Sequence, residues 1–302
     1  MTIYPAIKRV LRRVFPEWVL APLAGIKGMM KVAGAKIAFG MNRSTGRPLP
    51  AEMIEILSRN YGEPPKVRYD PDGLLLRAWE NVTRIKQWVD LKKVRSALEL
   101  GCWDGMVSAQ LRDQVDQCWA LDLSRKGFDP RAGDRGVCRV QGDAGHLPFD
   151  PASFDLVFSF AAFEHFSDPA RVLGEVARIL RSGGFFYLEF GPIAMAPYGL
   201  HAYRSIPAPY LQILFDVEDV RRYARTKGLN DQWPYINGMS LSDYRRMFEA
   251  AKRDFKTIAL EERGTGGVGA ELIIRYPDVF RCVSDRIEDF LVSGMTVCLQ
   301  RK

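Results

Sequence analysis

Acids at the ends of apolar runs, glycines after one such run, and three histidines are the residues of this chain placed to do chemistry. Residues 96–105 read SALELGCWDG. Ala97, Leu98 and Leu100 form a short apolar run that ends on Gly101 and Gly105. Such a run reads as a buried parallel strand entering a glycine-bearing turn, and 106–115 then has helical periodicity. A strand, a tight turn and a helix start make the place where an open α/β sheet binds a nucleotide-like ligand. Glu99 sits inside the strand end, where a carboxylate needs a partner, and a ligand ammonium would be one. Asp122 closes a second apolar run and follows the turn by about 20 residues, the spacing at which an acid meets ribose hydroxyls.

Further elements must hold these residues in place. A third strand over 137–140 leads into Gly142, Asp143 and Ala144, and a fourth covers 154–159. A helix over 168–181 and a Ser182-Gly183-Gly184 turn precede a fifth strand, 185–190. In this order the chain resembles the class I S-adenosylmethionine-dependent methyltransferases with a Glu-x-Gly-x-Gly-x-Gly first motif. Glu99, Gly101 and Gly105 match that motif, Asp122 the ribose acid, and Asp143-Ala144 the site beside adenine. Phe154-Asp155-Leu156-Val157 matches the fourth strand, Glu164-His165-Phe166 with Asp168-Pro169 the segment after it, and Arg181-Ser182-Gly183-Gly184 the usual Lys-Pro-Gly-Gly.

The resemblance implies an α/β, Rossmann-like fold: a seven-stranded, mostly parallel sheet with helices on both faces and an antiparallel C-terminal strand pair. It also implies S-adenosylmethionine as cofactor, with S-adenosylhomocysteine as product. The cofactor site would be formed by Glu99, Gly101, Cys102, Trp103, Gly105, Asp122, Leu123, Asp143, Ala144, Ser159 and Phe160. Trp103 departs from the motif, standing where the middle glycine is expected. A tryptophan there requires φ below zero, with its ring pointing away or over the ligand.

The net charge of +7 is concentrated in residues 1–50, which hold nine Lys/Arg against Glu17 and carry +8. The remainder is near −1, which excludes a basic nucleic-acid-binding core. Residues 3–14 place Ile3, Ile7, Val10, Leu11 and Val14 on one helical face. Residues 18–41 are apolar but interrupted by Lys27, Lys31, Lys36 and Pro22, which argues against a membrane span and against a signal peptide. Two readings stand for residues 1–42: an interfacial helix pair on an anionic membrane, or helices packed on the core. The expected organisation is a basic helical arm and linker over 1–70 and a catalytic domain over 71–302. Five scattered cysteines suggest reduced thiols and a cytoplasmic protein, and the basic arm suits a peripheral place at the membrane's inner face. No Cys/His cluster has metal-ligand spacing, so no metal is expected.

Residues 191–238 carry Pro192, Pro197, Pro207, Pro209 and Pro234 among many aromatics. An insertion of this kind after a central strand reads as a substrate cap over 192–238, with Tyr198, Tyr203, Trp233 and Tyr235 as acceptor contacts. Methyl transfer needs mainly alignment, but an alcohol nucleophile also needs a base. His146 reads as a surface-loop residue. His165 follows the fourth strand and suits a structural or cofactor-side role as well as catalysis. His201, within the cap, is the preferred base. The leading expectation is O-methylation of a hydroxyl on a small molecule or a lipid-linked sugar. The alternatives are an N- or C-methyltransferase of a lipid or secondary metabolite, and a non-catalytic binding protein.

Overall fold

The structure, a computed structural model, describes residues 17–41, 46–62 and 70–302, and the side chains of the first helix from residue 25. The helix expected over 3–14 lies outside the described residues.

Among the described residues, α1 (Glu17–Met41) and α2 (Met53–Tyr61) precede α3 (Pro71–Ile85), which leads into β1 (Ser96–Leu100). Then come α4 (Met106–Arg112), β2 (Gln117–Asp122), α5 (Pro130–Asp134), β3 (Val137–Gln141), β4 (Phe154–Phe160), α6 (Pro169–Ile179) and β5 (Leu180–Phe190). The region after β5 holds α7 (Leu211–Leu214) and α8 (Val217–Thr226). The chain ends with α9 (Leu241–Ala250), β6 (Phe255–Gly264), α10 (Ala270–Arg275), α11 (Pro277–Val283), α12 (Glu288–Leu291) and β7 (Val292–Arg301).

The strands form one sheet of order β3-β2-β1-β4-β5-β7-β6. Pairing is parallel from β3 to β5, and β7 runs antiparallel to both β5 and β6. Every residue of β1 is buried, as a central strand covered on both faces requires. The order reverses at β1 and β4, so a crevice opens beyond their carboxyl ends.

The helices start where their caps allow. Asp70 accepts from the Gly73 N–H with Pro71 at the first position of α3, and Asp168 accepts from Arg171 before Pro169 of α6. Ser240 and Asp243 form a reciprocal capping box on α9, each cap filling donors the helix end leaves open. Leu74, Ala78, Val82 and Ile85 of α3 face the core, whereas Leu76 and Trp79, equally apolar, are exposed. Two helical stretches are broken. Residues 211–226 divide at Phe215 and Asp216, where Asp216 caps α8. Residues 277–291 divide into α11 and α12, and α10 precedes them.

Two hydrophobic clusters cover the two faces of the sheet. A third joins α1, α2, the segment after β5 and α10–α12. In it Phe39 meets the Phe290 ring at 6.0 Å, and the Lys31 ammonium meets the Glu271 carboxylate at 2.7 Å. This face of α1 packs on the protein, as one of the two readings expected. On its other side Ile26, Met30, Ile37 and Met41 are exposed. No helix among the described residues is long and apolar enough to cross a membrane.

Phe163, fully buried, packs among Phe166, Phe186, Phe190, Tyr244 and Phe248. It lies in the single 3-10 turn Phe163–His165 after β4, so this aromatic cluster fixes the two residues that follow it. Phe163→Ala should cost about 3–5 kcal/mol of stability, the scale for a large buried ring. Urea unfolding monitored by circular dichroism measures it, and a loss under about 1 kcal/mol would mean the ring does not anchor the turn.

Candidate functional site

The β1 turn is tied to β2 by backbone and by one carboxylate. The N–H groups of Gly101 and Cys102 both donate to Leu121 O, at 2.8 and 3.1 Å. The Asp122 carboxylate accepts from the Trp103 N–H at 3.0 Å and from the Ser124 N–H at 2.9 Å. Gly101 has φ +70°, and a Cβ there would come within 2.4 Å of the Ala162 Cβ. Gly105, φ +72°, begins α4 against the Phe128 ring and lines neither cavity described below.

Trp103 corrects the expectation of a negative φ: it stands at φ +43°, close to where glycine would be at ease and costly for other residues. The Asp122 carboxylate on its N–H, the Gly127 backbone under its ring and the Arg77 guanidinium 5.5 Å from its ring centre hold it there.

Two cavities share Gly101, Trp103 and Ala161. The smaller, 230 Å³, is lined by Leu121, Asp122, Leu123, Gly142, Asp143, Ala144, Ala162, His165 and Phe166. The larger, 410 Å³, is lined by Glu99, Cys102, Asp104, Val107, Phe160 and Gly191, and by a ring of charged and polar groups: Arg77, Glu80, Asn81, Arg84, Glu189, Arg204 and Arg263. In that ring Arg77 pairs with Asp104, and both Arg84 and Arg263 reach Glu189, at 3.5 and 2.8 Å. Glu99 is buried, with one oxygen held by the Ser108 N–H and hydroxyl at 3.1 and 2.6 Å. Burial pushes its carboxyl up to about 8, so a cation in the larger cavity would favour its charged form.

Most of the residues the sequence singled out thus border one of two adjoining cavities. Ser159 does not: it is buried, and its hydroxyl donates to Leu100 O, linking β4 to β1. None of Tyr198, Tyr203, Trp233 and Tyr235 lines either cavity. Tyr198 and Tyr203 pack on each other at 5.6 Å, and Trp233 packs against the third cluster. Tyr235 is exposed and contributes its carbonyl oxygen to His165. His146 lies against Arg171 and Asp143 on the surface.

His201 is unsuited to the role of base. Its Nε2 lies 2.9 Å from Pro192 O, and a carbonyl accepts only from N–H, so Nε2 carries the proton. Burial pushes the ring's pKa down to about 4, too low for efficient proton uptake near neutral pH. Instead it stands beside His165, ring centres 5.0 Å apart. His165 Nδ1 lies 2.6 Å from Tyr235 O and by the same argument carries that ring's proton. Beneath them Glu164 is fully buried. One oxygen accepts from the Gly191 N–H at 3.1 Å, while Oε2 has no hydrogen-bond partner.

The sequence reading missed the polar ring of the larger cavity and Glu164. Arg77, Asn81 and Arg84 occupy one side of α3, a polar stripe within an otherwise apolar pattern that could have exposed them. Arg204 and Arg263 carried no such sign.

Residues 98–188 match a family profile described as a methyltransferase domain. Over 104 residues the chain is 35% identical to phthiotriol/phenolphthiotriol dimycocerosates methyltransferase of Mycobacterium tuberculosis, covering 32% of this chain and 38% of that protein. It is 28% identical over 175 residues to 27-O-demethylrifamycin SV methyltransferase of Amycolatopsis mediterranei, covering 52% of this chain and 64% of the relative. The chain thus spans less than two thirds of the length of either relative. A solved S-adenosylmethionine dependent methyltransferase from Mesorhizobium loti aligns with 74% of this chain and 98% of its own, at 20% identity and a TM-score of 0.47.

Gly101→Ala should cost roughly 1–3 kcal/mol, from a methyl forced against Ala162 and a left-handed backbone. Thermal and urea denaturation of the variant read this directly, and unchanged stability would show that the turn adjusts freely.

Proposed function

We propose, from the match of residues 98–188 to a methyltransferase domain profile and from the cleft, that the protein is an S-adenosylmethionine-dependent methyltransferase acting on a hydroxyl of a polar small molecule, a free or lipid-linked sugar. The supporting observation is the pair of cavities joined at Gly101, Trp103 and Ala161. The smaller fits adenosine. Asp122 faces the ribose hydroxyls, and its oxygens keep lone pairs beyond the two backbone N–H groups they hold. Asp143 stands beside the adenine, and Leu123, Ala144 and Phe166 are its apolar walls. The larger cavity takes the amino-acid end at its inner part, where Glu99 and Asp104 suit an ammonium and Arg77 a carboxylate.

When bound, this cofactor supplies a methyl group already activated by the sulfonium. The chain's own task is alignment and exclusion of water. Trp103 separates the two ends of the cofactor and closes the cleft above it. The rest of the larger cavity, with Glu80, Asn81, Arg84, Glu189, Arg204 and Arg263, takes the acceptor. This lining favours an oxygen-rich acceptor over a hydrocarbon, since an apolar chain would strand those groups without partners. Label transfer from methyl-labelled cofactor to sugars, phenols and lipids tests the reading. Transfer to a sugar or another polyhydroxylated acceptor supports it, and transfer only to apolar lipids overturns it.

We also infer that the outer side of α1 rests on an anionic membrane. Ile26, Met30 and Ile37 are exposed on a helix that carries Lys27 and Lys36, within the +8 segment of the chain. Basic side chains near such a surface add about 1 kcal/mol each, falling with salt. The wild-type chain should float with vesicles containing anionic lipid, and Ile26→Ser/Met30→Ser/Ile37→Ser should reduce flotation severalfold. Equal flotation of the two proteins contradicts this.

Asp122→Ala should weaken calorimetric binding of S-adenosylhomocysteine by about 1–3 kcal/mol, the scale of a lost hydrogen bond to a charged group. Unchanged affinity would remove Asp122 from the site.

A further inference from the structure

Glu164, His165 and His201 bring potential ligand atoms close together. They come from two separate segments: the 3-10 turn after β4, and the loop after β5. Each offers one ligand atom, and the three atoms lie within 4.8 Å of one another. Both rings have their protonated nitrogens committed to main-chain carbonyls. His165 Nδ1 donates to Tyr235 O and His201 Nε2 to Pro192 O. Each therefore keeps a lone pair on its other nitrogen, Nε2 of His165 and Nδ1 of His201. The Gly191 N–H fixes one Glu164 oxygen and leaves Oε2 buried and unpartnered. Glu164 and His165 do not satisfy each other, since His165 Nε2 is 4.0 Å from Oε1.

From these contacts we propose that Glu164, His165 and His201 bind one divalent transition cation, which holds the acceptor oxygen, the rings ligating through the nitrogens that remain free. A single water has two hydrogens for three lone pairs, whereas a cation satisfies all three and offsets the buried carboxylate. The outward hydrogen bonds from the rings are those that orient metal-binding imidazoles and fix their tautomers. Two nitrogens and one carboxylate oxygen suit Mn²⁺, Fe²⁺, Co²⁺ or Zn²⁺ better than Mg²⁺ or Ca²⁺, and three protein ligands leave positions open for an acceptor and water. This departs from the expectation of no metal, which rested on spacing along the chain.

The site adjoins the cleft on both sides. His165 lines the smaller cavity, and Gly191, bonded to Glu164, lines the larger with Arg204. The cation's role at the acceptor rests on the methyltransferase reading, but its binding does not. A hydroxyl held there loses its proton more readily. Its oxygen lone pair forms the new bond to the methyl carbon, the carbon–sulfur bond breaks with its electrons going to sulfur, and the proton leaves to solvent.

The test uses the full chain, stripped with chelator and titrated with Co²⁺ and separately with Mn²⁺. Co²⁺ should give visible d–d absorption that saturates at one equivalent, and Mn²⁺ should lose its free-ion EPR signal in the same ratio. Glu164→Gln and His201→Ala should each weaken binding at least tenfold, and His146→Ala should not. S-adenosylhomocysteine calorimetry on each variant reports whether the fold and cleft survive. A wild-type chain that binds neither ion stoichiometrically overturns the proposal, as does undiminished binding in a Glu164 or His201 variant. Should a variant fail to fold, histidine-proton NMR of wild type decides. Mn²⁺ must broaden His165 and His201 before His146, and uniform broadening of all three contradicts the site. Cation binding without any methyl transfer would leave the site standing and remove the proposed function.

Discussion

The hydrogen bonds that tie the β1 turn to the end of β2 are the constraint on which the site depends. Gly101 and Cys102 share Leu121 O, and Asp122 takes the Trp103 N–H. Without this tie the turn could not pass so close to Ala162, and Trp103 would relax out of its left-handed backbone. Because the tie closes the two strand ends together, the crevice at the switch between β1 and β4 is divided into two cavities with a common wall. The same carboxylate that organises the turn also points at the smaller cavity, so shape and chemistry share one residue.

A second constraint sets the far side of the crevice. The aromatic cluster around Phe163 fixes a single turn, and that turn presents Glu164 downwards into the protein and His165 outwards. The loop after β5 then brings His201 back over the pair, through its bond to Pro192 O. The region after β5 therefore acts less as a lid with aromatic contacts than as a packed layer. Several of its aromatics pack with α1, α2 and α10–α12, and what reaches the larger cavity from it is Gly191 and the charged side chain of Arg204.

The strand order and the turn were legible in the sequence because both depend on local pattern: short apolar runs, an acid at each end, glycines between. Gly101 and Asp122, placed by pattern and spacing, and Asp143, placed by the family resemblance, all line the smaller cavity. Trp103 was misread because local preference forbids positive φ, while a carboxylate from another strand and a glycine under the ring make it bearable. Ser159 was misread because position along β4 does not tell which end of a hydroxyl's reach is already occupied. The tyrosines and Trp233 were assigned to the acceptor by composition, and composition cannot distinguish a packed aromatic from a presented one. The Glu164, His165 and His201 group was invisible as a unit because its members are separated in the chain, and only the fold closes the distance.

On the proposed function, one elongated ligand spans both cavities beneath Trp103. Crystals of the protein soaked with S-adenosylhomocysteine test it most directly. Density is expected for the ribose at Asp122, the adenine between Leu123 and Ala144, and the sulfur turned towards the larger cavity past Gly101 and Trp103. Clear ligand density elsewhere on the protein, or an empty cleft in crystals grown from protein that calorimetry shows to be saturated, would contradict it.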